Sequence, residues 1–150
     1  MAKQVGGPRE CSLASALEAV GEKWSLLVLR EVFYGVRRFE GIAHHTGAPR
    51  DVLTARLRKL VEAGVLRRVP YSERPVRQEY HLTEAGAELA PVLLGLLEWG
   101  RKWTPAGPAL AAPFVHACGA PLQAALTCGA CGGRVTGATV SLDPARVPRT

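Results

Sequence analysis

The 150-residue sequence predicts an α+β fold, mainly α-helical with one small β-hairpin, followed by a small cysteine-rich tail. Apolar residues recur at helical spacing through most of residues 12–103, and the pattern becomes strand-like within residues 65–82. A proline- and glycine-rich stretch, residues 104–113, then precedes four potential metal ligands. We therefore predict a first domain over residues 1–103, a linker over residues 104–113 and a tail over residues 114–150.

Three short helices are predicted first. Ser12 is the expected N-cap of a helix over residues 12–20, because its hydroxyl can accept a hydrogen bond from the first helical turn. A second helix is expected over residues 24–33. A third is expected over residues 39–46, ending at Gly47, a residue type that favours helix C-termini.

The fourth helix, from about residue 49 to 63, has the clearest two-sided pattern. Pro49 suits a first helical turn, and Gly64 lies just past the expected end. At 100° per residue one face is apolar, formed by Leu53, Leu57 and Leu60. A different face is polar, formed by Arg50, Thr54 and Arg58.

Two strands and a last helix complete the first domain. The strands are expected over residues 65–69 and 78–82, with a polar connection over residues 71–77. Thr83 is the expected cap of a helix that reaches Trp103. Pro91 lies inside this helix, so its first turn is either bent or a separate piece.

The last helix is too apolar for a helix that faces only solvent. Its apolar face either packs on the chain's own first helix or forms a homodimer interface together with residues 11–20, and we predict the homodimer. The residues of this face are Leu89, Val92, Leu93, Leu96, Leu97, Trp99 and Trp103.

The positive charge is concentrated in one part of the sequence. The chain carries a formal charge of +6 with a pI near 9.5, and residues 50–77 hold eight basic and three acidic residues, a net charge of +5. Such a local cluster favours nucleic acid as a partner. No apolar run is long enough to span a membrane, and the first ten residues show no secretory signal, so a cytoplasmic location is expected. None of the usual nucleotide-binding or hydrolase motifs is present, and we predict no enzyme activity.

Three helices, a groove-sized fourth helix and a basic hairpin are the layout of a winged helix-turn-helix, which reads double-stranded DNA. The polar start of the fourth helix would meet base edges, and the hairpin would lie on neighbouring phosphates. The alternative is an ordinary solvated surface, and Arg56, near the edge of the apolar face, is a structural candidate. The predicted DNA-binding residues are Arg37, Arg38, Arg50, Asp51, Thr54, Arg58, Arg74 and Arg77.

Residues 11–100 resemble the HxlR-type, MarR-like winged helix-turn-helix transcriptional regulators. The resemblance is carried by Cys11 and by the segments GEKW (21–24), LRE (29–31), GVRRF (35–39), VLTARLRKL (52–60), GVL (64–66) and PVRQEYHLTEAG (75–86). It implies a homodimer that binds a roughly palindromic operator, and we expect a repressor. A nucleic-acid-associated module whose tail recruits a partner, or a thiol redox protein, are the alternatives.

Cys11 lies far in sequence from the other three cysteines. In the resembled family a cysteine at this place often senses oxidants or electrophiles. The alternative is an inert small apolar residue, the usual role of an isolated cysteine. The proline that usually follows it in the family is replaced here by Ser12.

The tail contains His116 and Cys118, then Cys128 and Cys131 in a Cys-x-x-Cys motif followed by glycines. Two thiolates at this spacing can grip one tetrahedral ion, and the four side chains together predict a structural zinc site of the ribbon type. A reducing compartment favours a metal over a disulfide. The alternatives are a redox dithiol formed by Cys128 and Cys131, unligated cysteines, or a His116 that plays no part.

Overall fold

The computed structural model describes residues 11–105, 114–141, 143 and 145. Four helices are followed by a two-stranded antiparallel hairpin and two further helices. In chain order these are α1 (Ser12–Val20), α2 (Lys23–Phe33), α3 (Phe39–Thr46), α4 (Arg50–Glu62), β1 (Leu66–Glu73), β2 (Val76–Leu82), α5 (Glu84–Ala87) and α6 (Ala90–Trp103). None of these helices is long and apolar enough to cross a membrane.

The core of the first part is built on α2, which packs against α3 and α4 and also contacts β2. Helix α4 packs in turn against β1. The three leucines predicted to face inward, Leu53, Leu57 and Leu60, are fully buried, which confirms the apolar face of α4. The other buried apolar side chains of the described residues are Val28, Leu29, Val32, Ile42, Ala48, Val65, Leu66 and Leu93.

The first helix has the predicted extent, but its predicted cap is wrong. Ser12 is the first helical residue, and the N-cap position is occupied by Cys11, whose backbone is extended at φ −149° and ψ 126°. No side-chain hydrogen bond caps this helix. The extended backbone conformation that an N-cap requires thus occurs at Cys11, although the next residue, Ser12, has the better capping side chain.

A tight turn joins α3 to α4 and sets the angle at which α4 leaves the core. Gly47 ends α3 in the left-handed region at φ +68°, where a residue without a side chain is favoured. Thr46 donates its hydroxyl to the Ile42 carbonyl at 2.7 Å and accepts from the Ala48 amide at 3.2 Å. Because Ala48 is itself buried, the turn is anchored in the core immediately before α4 begins.

The hairpin is longer than the sequence predicts. Much of the expected polar connection pairs within β1 and β2, so that the turn between the strands is reduced to Arg74 and Pro75, joined by a cis peptide bond. The register shifts by one residue between Pro70 and Ser72, which makes Tyr71 the extra residue of a bulge. Cross-strand pairing therefore overrides the polar composition that suggested a loop.

The break predicted at Pro91 is present as two separate helices. Thr83 caps α5, as predicted, by accepting the Gly86 amide at 3.1 Å. Its hydroxyl also donates to the Gly64 carbonyl at 2.5 Å, which ties the hairpin's end to the turn after α4. Gly86 is buried against the Val65 carbonyl so closely that any Cβ atom would overlap that oxygen.

The chain divides into two compact units, and the division falls between Leu93 and Leu94, inside α6. The predicted linker over residues 104–113 lies almost wholly outside the described residues, so its role stays a prediction. In the tail the described residues form two small turns, each closed by an isolated antiparallel bridge, Val115 with Pro121 and Thr127 with Arg134.

Candidate nucleic-acid interface

The surface of α4 opposite the buried leucines carries the predicted recognition residues. Arg50, Asp51, Thr54 and Arg58 are all exposed, at positions that follow from the three fully buried leucines on the other side. Since a helix has one orientation once its apolar face is buried, this polar face is fixed toward solvent.

Arg50 is held in a defined position at the start of α4. Its Nη1 and Nη2 atoms donate to the two carboxylate oxygens of Glu40 at 2.8 and 2.7 Å. Its guanidinium carbon lies 4.9 Å from the centre of the Phe39 ring. The hydrogen bonds from Arg50 hold the pKa of the exposed Glu40 carboxyl below its ordinary value. Arg50 therefore presents a fixed donor whose charge is balanced by a neighbouring acid.

The next two residues of this face are held less firmly. Thr54 donates its hydroxyl to the Arg50 carbonyl at 2.8 Å, a bond within its own helix. Arg58 lies 3.6 Å from Glu62, one turn further on, and both side chains are largely exposed. An exposed pair of this kind contributes little to stability, so the Arg58 guanidinium is available for another partner.

Arg37 and Arg38, which precede α3, differ in their surroundings. The Arg37 carbonyl accepts the Tyr80 amide at 2.8 Å, which joins this segment to the hairpin, and its side chain is exposed. Arg38 donates from Nε to Glu79 at 3.0 Å and stacks 4.3 Å from the centre of the Tyr71 ring. Arg38 thus fastens the hairpin to α3.

The Glu79 carboxylate contacts two side chains, that of Arg38 before α3 and that of His81 in β2. The hydrogen bond from Arg38, and secondarily that from His81, hold the pKa of the Glu79 carboxyl below its ordinary value. The His81 Nε2 atom lies 3.2 Å from the second Glu79 oxygen. Glu79 and Tyr71 together therefore hold the middle of the hairpin against the start of α3 through Arg38.

The tip of the hairpin presents two exposed arginines, Arg74 and Arg77. Within residues 11–105 neither of them forms an ion pair, in contrast to Arg38 and Arg50. Between the hairpin and α3 lies an open groove of about 840 Å³ lined in part by Phe39, Tyr71 and Arg77. The hairpin tip therefore presents two arginines that form no ion pair with a described acidic side chain.

Arg56 has a structural role, as its position near the apolar face suggested. It forms an ion pair with Glu22, whose other carboxylate oxygen lies 3.5 Å from Lys59 Nζ. The two cations join α4 to the residue that precedes α2. Neither is presented with the polar face formed by Arg50, Thr54 and Arg58.

Sequence reasoning missed three residues of this surface, namely Glu40, Tyr71 and Glu79. Each partners a predicted arginine from ten to 41 positions away in the chain. No local pattern marks an acid as the partner of a distant arginine, because helical and strand periodicity report only which side chains share a face.

Residues 19–108 match the family described as HxlR-like helix-turn-helix. The chain belongs to the HxlR family. It is also 46% identical over 135 residues to Rv3095 of Mycobacterium tuberculosis, described as an uncharacterized HTH-type transcriptional regulator, across 89% of this chain and 85% of Rv3095.

This HxlR-family chain is also similar in structure to two solved proteins. PA1607, described as a candidate transcription factor, superposes with a TM-score of 0.76 at 31% identity, over 90% of this chain and 95% of that one. The redox regulator HypR in its oxidized form gives a TM-score of 0.56 at 30% identity, over 61% of this chain and 96% of HypR. The chain is therefore a transcriptional regulator with a helix-turn-helix DNA-binding domain.

The predicted metal ligands of this HxlR-family protein lie on the two turns of the tail. His116 and Cys118 belong to the first turn, Cys128 and Cys131 to the second, and all four are exposed. In the described part of the chain, no three His, Cys, Asp or Glu side chains are grouped so that they could hold a metal ion. The expected convergence of four ligands is thus not observed among the described residues, and zinc binding stays a prediction.

Cys11 is exposed at the start of α1. The backbone amides of Ala14 and, secondarily, Leu13 donate to its sulfur and lower the pKa of the thiol. Both the sensing role and the inert role considered from the sequence stay predictions.

Glu40→Gln tests whether Arg50 contacts DNA. The substitution removes a negative charge and releases the Arg50 fork, so we expect affinity for random-sequence duplex DNA to rise roughly two- to fivefold. The plot of log affinity against log salt should steepen by about one unit, because one more phosphate becomes neutralised. Fluorescence anisotropy at several salt concentrations measures both quantities.

Glu88→Gln is the matched control, since it removes an exposed acid just after α5 and should change neither quantity. Equal behaviour of the two variants would show that Arg50 does not lie on the DNA-binding surface.

Proposed function

We propose that this protein is a homodimeric repressor that binds a palindromic operator in double-stranded DNA, with α4 of each protomer in the major groove. The observation that carries the proposal is the pairing of a solvent-facing polar side of α4 with a basic hairpin fastened beside it by Arg38. A helix of this diameter fits the major groove, and a hairpin next to it reaches the adjacent phosphates.

Helix α4 would make the sequence-specific contacts with DNA bases, and the hairpin would make the non-specific contacts with phosphates. Arg58 projects from α4 with a weak partner, so its guanidinium can donate two hydrogen bonds to a guanine edge. Arg74 and Arg77 at the hairpin tip would neutralise phosphates, which position a protein without reading sequence. The acid-balanced Arg50 supplies a donor of fixed geometry at the start of the helix.

The homodimer is supported by exposed apolar side chains on two helices. No residue of the described α1 is buried, and Leu13 and Leu17 are 62% and 54% exposed. In α6 only Leu93 is buried, whereas Leu96, Trp99 and Trp103 are at least half exposed. Large apolar side chains clustered on a helix surface mark an interaction site in soluble proteins.

A two-fold dimer accounts for a palindromic operator. A symmetric pair of protomers presents two copies of α4 to half-sites about 34 Å apart, one turn of DNA. Bound across a promoter, such a dimer would exclude polymerase. A signal that changes the relative placement of the two recognition helices would then release the operator.

Arg58→Ala and Arg77→Ala separate base reading from phosphate contact. Operator fragments are first selected from genomic DNA by the purified protein. We expect Arg58→Ala to weaken operator binding by about 1–3 kcal/mol with little effect on random DNA, because a base contact is lost. Arg77→Ala should weaken both similarly and reduce the salt slope by about one unit.

The same titrations on the parent protein supply the reference. If both variants bound operator and random DNA as the parent does, α4 and the hairpin would not form the recognition surface.

Leu96→Glu tests the dimer. A carboxylate at this exposed position of α6 would have to be buried in a dimer interface, so we expect monomers in sedimentation velocity. Operator affinity should fall by roughly 100-fold, because the two half-sites are then bound independently. Leu126→Glu, at an exposed leucine of the tail, is the control that should leave the dimer intact. A parent protein that sediments as a monomer, or a Leu96→Glu variant that remains dimeric, would contradict this role of α6.

We further propose that oxidation of Cys11 weakens operator binding. Cys11 begins α1, the helix whose exposed Leu13 and Leu17 support the dimer, and the amides of Ala14 and Leu13 favour its reactive thiolate. The likeness to HypR, a redox regulator solved in an oxidized form, supports the same signal class. Oxidation of a thiol at the end of an interface helix can change how the two protomers are placed relative to each other.

Diamide treatment of the parent protein should lower operator affinity roughly tenfold, with recovery in dithiothreitol. Cys11→Ser should abolish this response, and Cys118→Ser, which removes an exposed thiol of the tail, should retain it. A full response in the Cys11→Ser variant would assign the sensing to another residue.

A further inference from the structure

Two residues, Gly21 and Glu22, join the exposed helix α1 to the core helix α2, and their backbone is bonded on both sides. The Gly21 amide donates to the Leu17 carbonyl at 2.7 Å. The Glu22 carbonyl accepts the Leu26 amide at 3.1 Å, and Glu22 is the N-cap residue of α2. The position of Glu22 is therefore tied to the end of α1 and to the start of α2.

The side chain of Glu22 reaches across to α4. One of its carboxylate oxygens pairs with Arg56 Nη1, and the other lies 3.5 Å from Lys59 Nζ. Helix α1 also packs directly on α4. The helix whose exposed leucines support the dimer is thus joined to the recognition helix by packing and by charge, away from the polar face that carries Arg50 and Arg58.

Burial distinguishes the pair between Glu22 and Arg56 from the exposed ion pair on the same helix. The Arg56 side chain is 24% exposed, whereas those of Arg58 and Glu62 are 70% and 68% exposed. The Nε–H group of Arg56 is buried, and no described group accepts a hydrogen bond from it. Removing one partner of a buried pair leaves an uncompensated charge away from water. Without the Glu22 carboxylate, the Arg56 guanidinium would therefore have to turn out to solvent.

We propose that Glu22 is a positioning residue for operator binding. It holds α4 at a fixed placement relative to α1, and through α1 it sets the relation between the two recognition helices of the dimer. This role rests on the proposed function, because only a dimer has two recognition helices to place. The role needs no contact between Glu22 and DNA, and its effect is confined to sites at which both copies of α4 bind at once.

Two simpler roles of Glu22 predict different results. If Glu22 acted only through its charge, Glu22→Gln would strengthen binding to every duplex, because an acid repels phosphates. If Glu22 only stabilised the fold, Glu22→Gln would weaken binding to every duplex. A positioning role predicts a loss that appears only on the complete operator, since binding to one half-site does not depend on where a second helix lies.

Glu22→Gln is tested by fluorescence anisotropy on three duplexes: the complete operator selected from genomic DNA, one half-site in random flanks, and random DNA. We expect affinity for the complete operator to fall roughly tenfold. Affinity for the other two duplexes should equal that of the parent or rise by up to about twofold. Sedimentation velocity should show a dimer. Glu88→Gln, which removes an exposed acid of the same compact unit, is the control and should keep full operator affinity.

Arg56→Gln, alone and combined with Glu22→Gln, tests the same link from its other end. Arg56→Gln should also lose roughly tenfold on the complete operator. The double variant should lose no more than either single variant, because all three break one link. It has the net charge of the parent and leaves neither partner of the pair charged without the other, so it decides the matter if a single variant unfolds.

A double variant that binds the complete operator as the parent does would overturn the positioning role of Glu22. Single losses that add to roughly hundredfold, or an equal loss on the half-site, would also overturn it. The proposed function would survive these results if Arg58→Ala still weakened operator binding selectively. A parent protein that is monomeric, or that does not prefer the operator to random DNA, would contradict the proposed function and the role of Glu22 together.

Discussion

Burial of one face of α4 is the constraint on which the rest of the first unit depends. Leu53, Leu57 and Leu60 are fully excluded from solvent between α2 and β1. Rotating α4 about its axis would expose them, at a cost of about 1.5–3 kcal/mol for each leucine. The core therefore sets the direction of the polar face, and the chemistry of Arg50 and Arg58 follows from where the leucines lie.

The second constraint is the attachment of the hairpin beside that face. Arg38 lies between the Tyr71 ring and the Glu79 carboxylate, so one side chain joins the segment before α3 to both strands. The bulge at Tyr71 brings the extra residue of β1 to this contact. Arg38 and Arg50 are paired with acids that fix their geometry, whereas Arg74 and Arg77 at the hairpin tip form no ion pair with a described acidic side chain.

The residue pattern was sufficient to predict most helices and strands and to predict which side chains of α4 face solvent. It did not predict which side chains contact each other. The α4 periodicity placed Leu53 inside and Arg58 outside, and Thr83 and Pro91 marked the start and the break of the last helices correctly. The same reasoning put the cap of α1 at Ser12 and left residues 71–77 as a connection. Both errors concern backbone conformation. Cross-strand pairing extends the hairpin into residues 71–77, and the extended backbone at Cys11 places the N-cap of α1 one residue before Ser12.

The sequence by itself determined the order of helices and strands, the two faces of α4 and the membership of the chain in a DNA-binding family, because these depend on local periodicity and on motifs in a fixed order. Tertiary structure alone decided that Arg50 meets Glu40 and that Arg38 meets Glu79. Such contacts depend on how separate segments are placed in space, and residue spacing along the chain does not encode that placement.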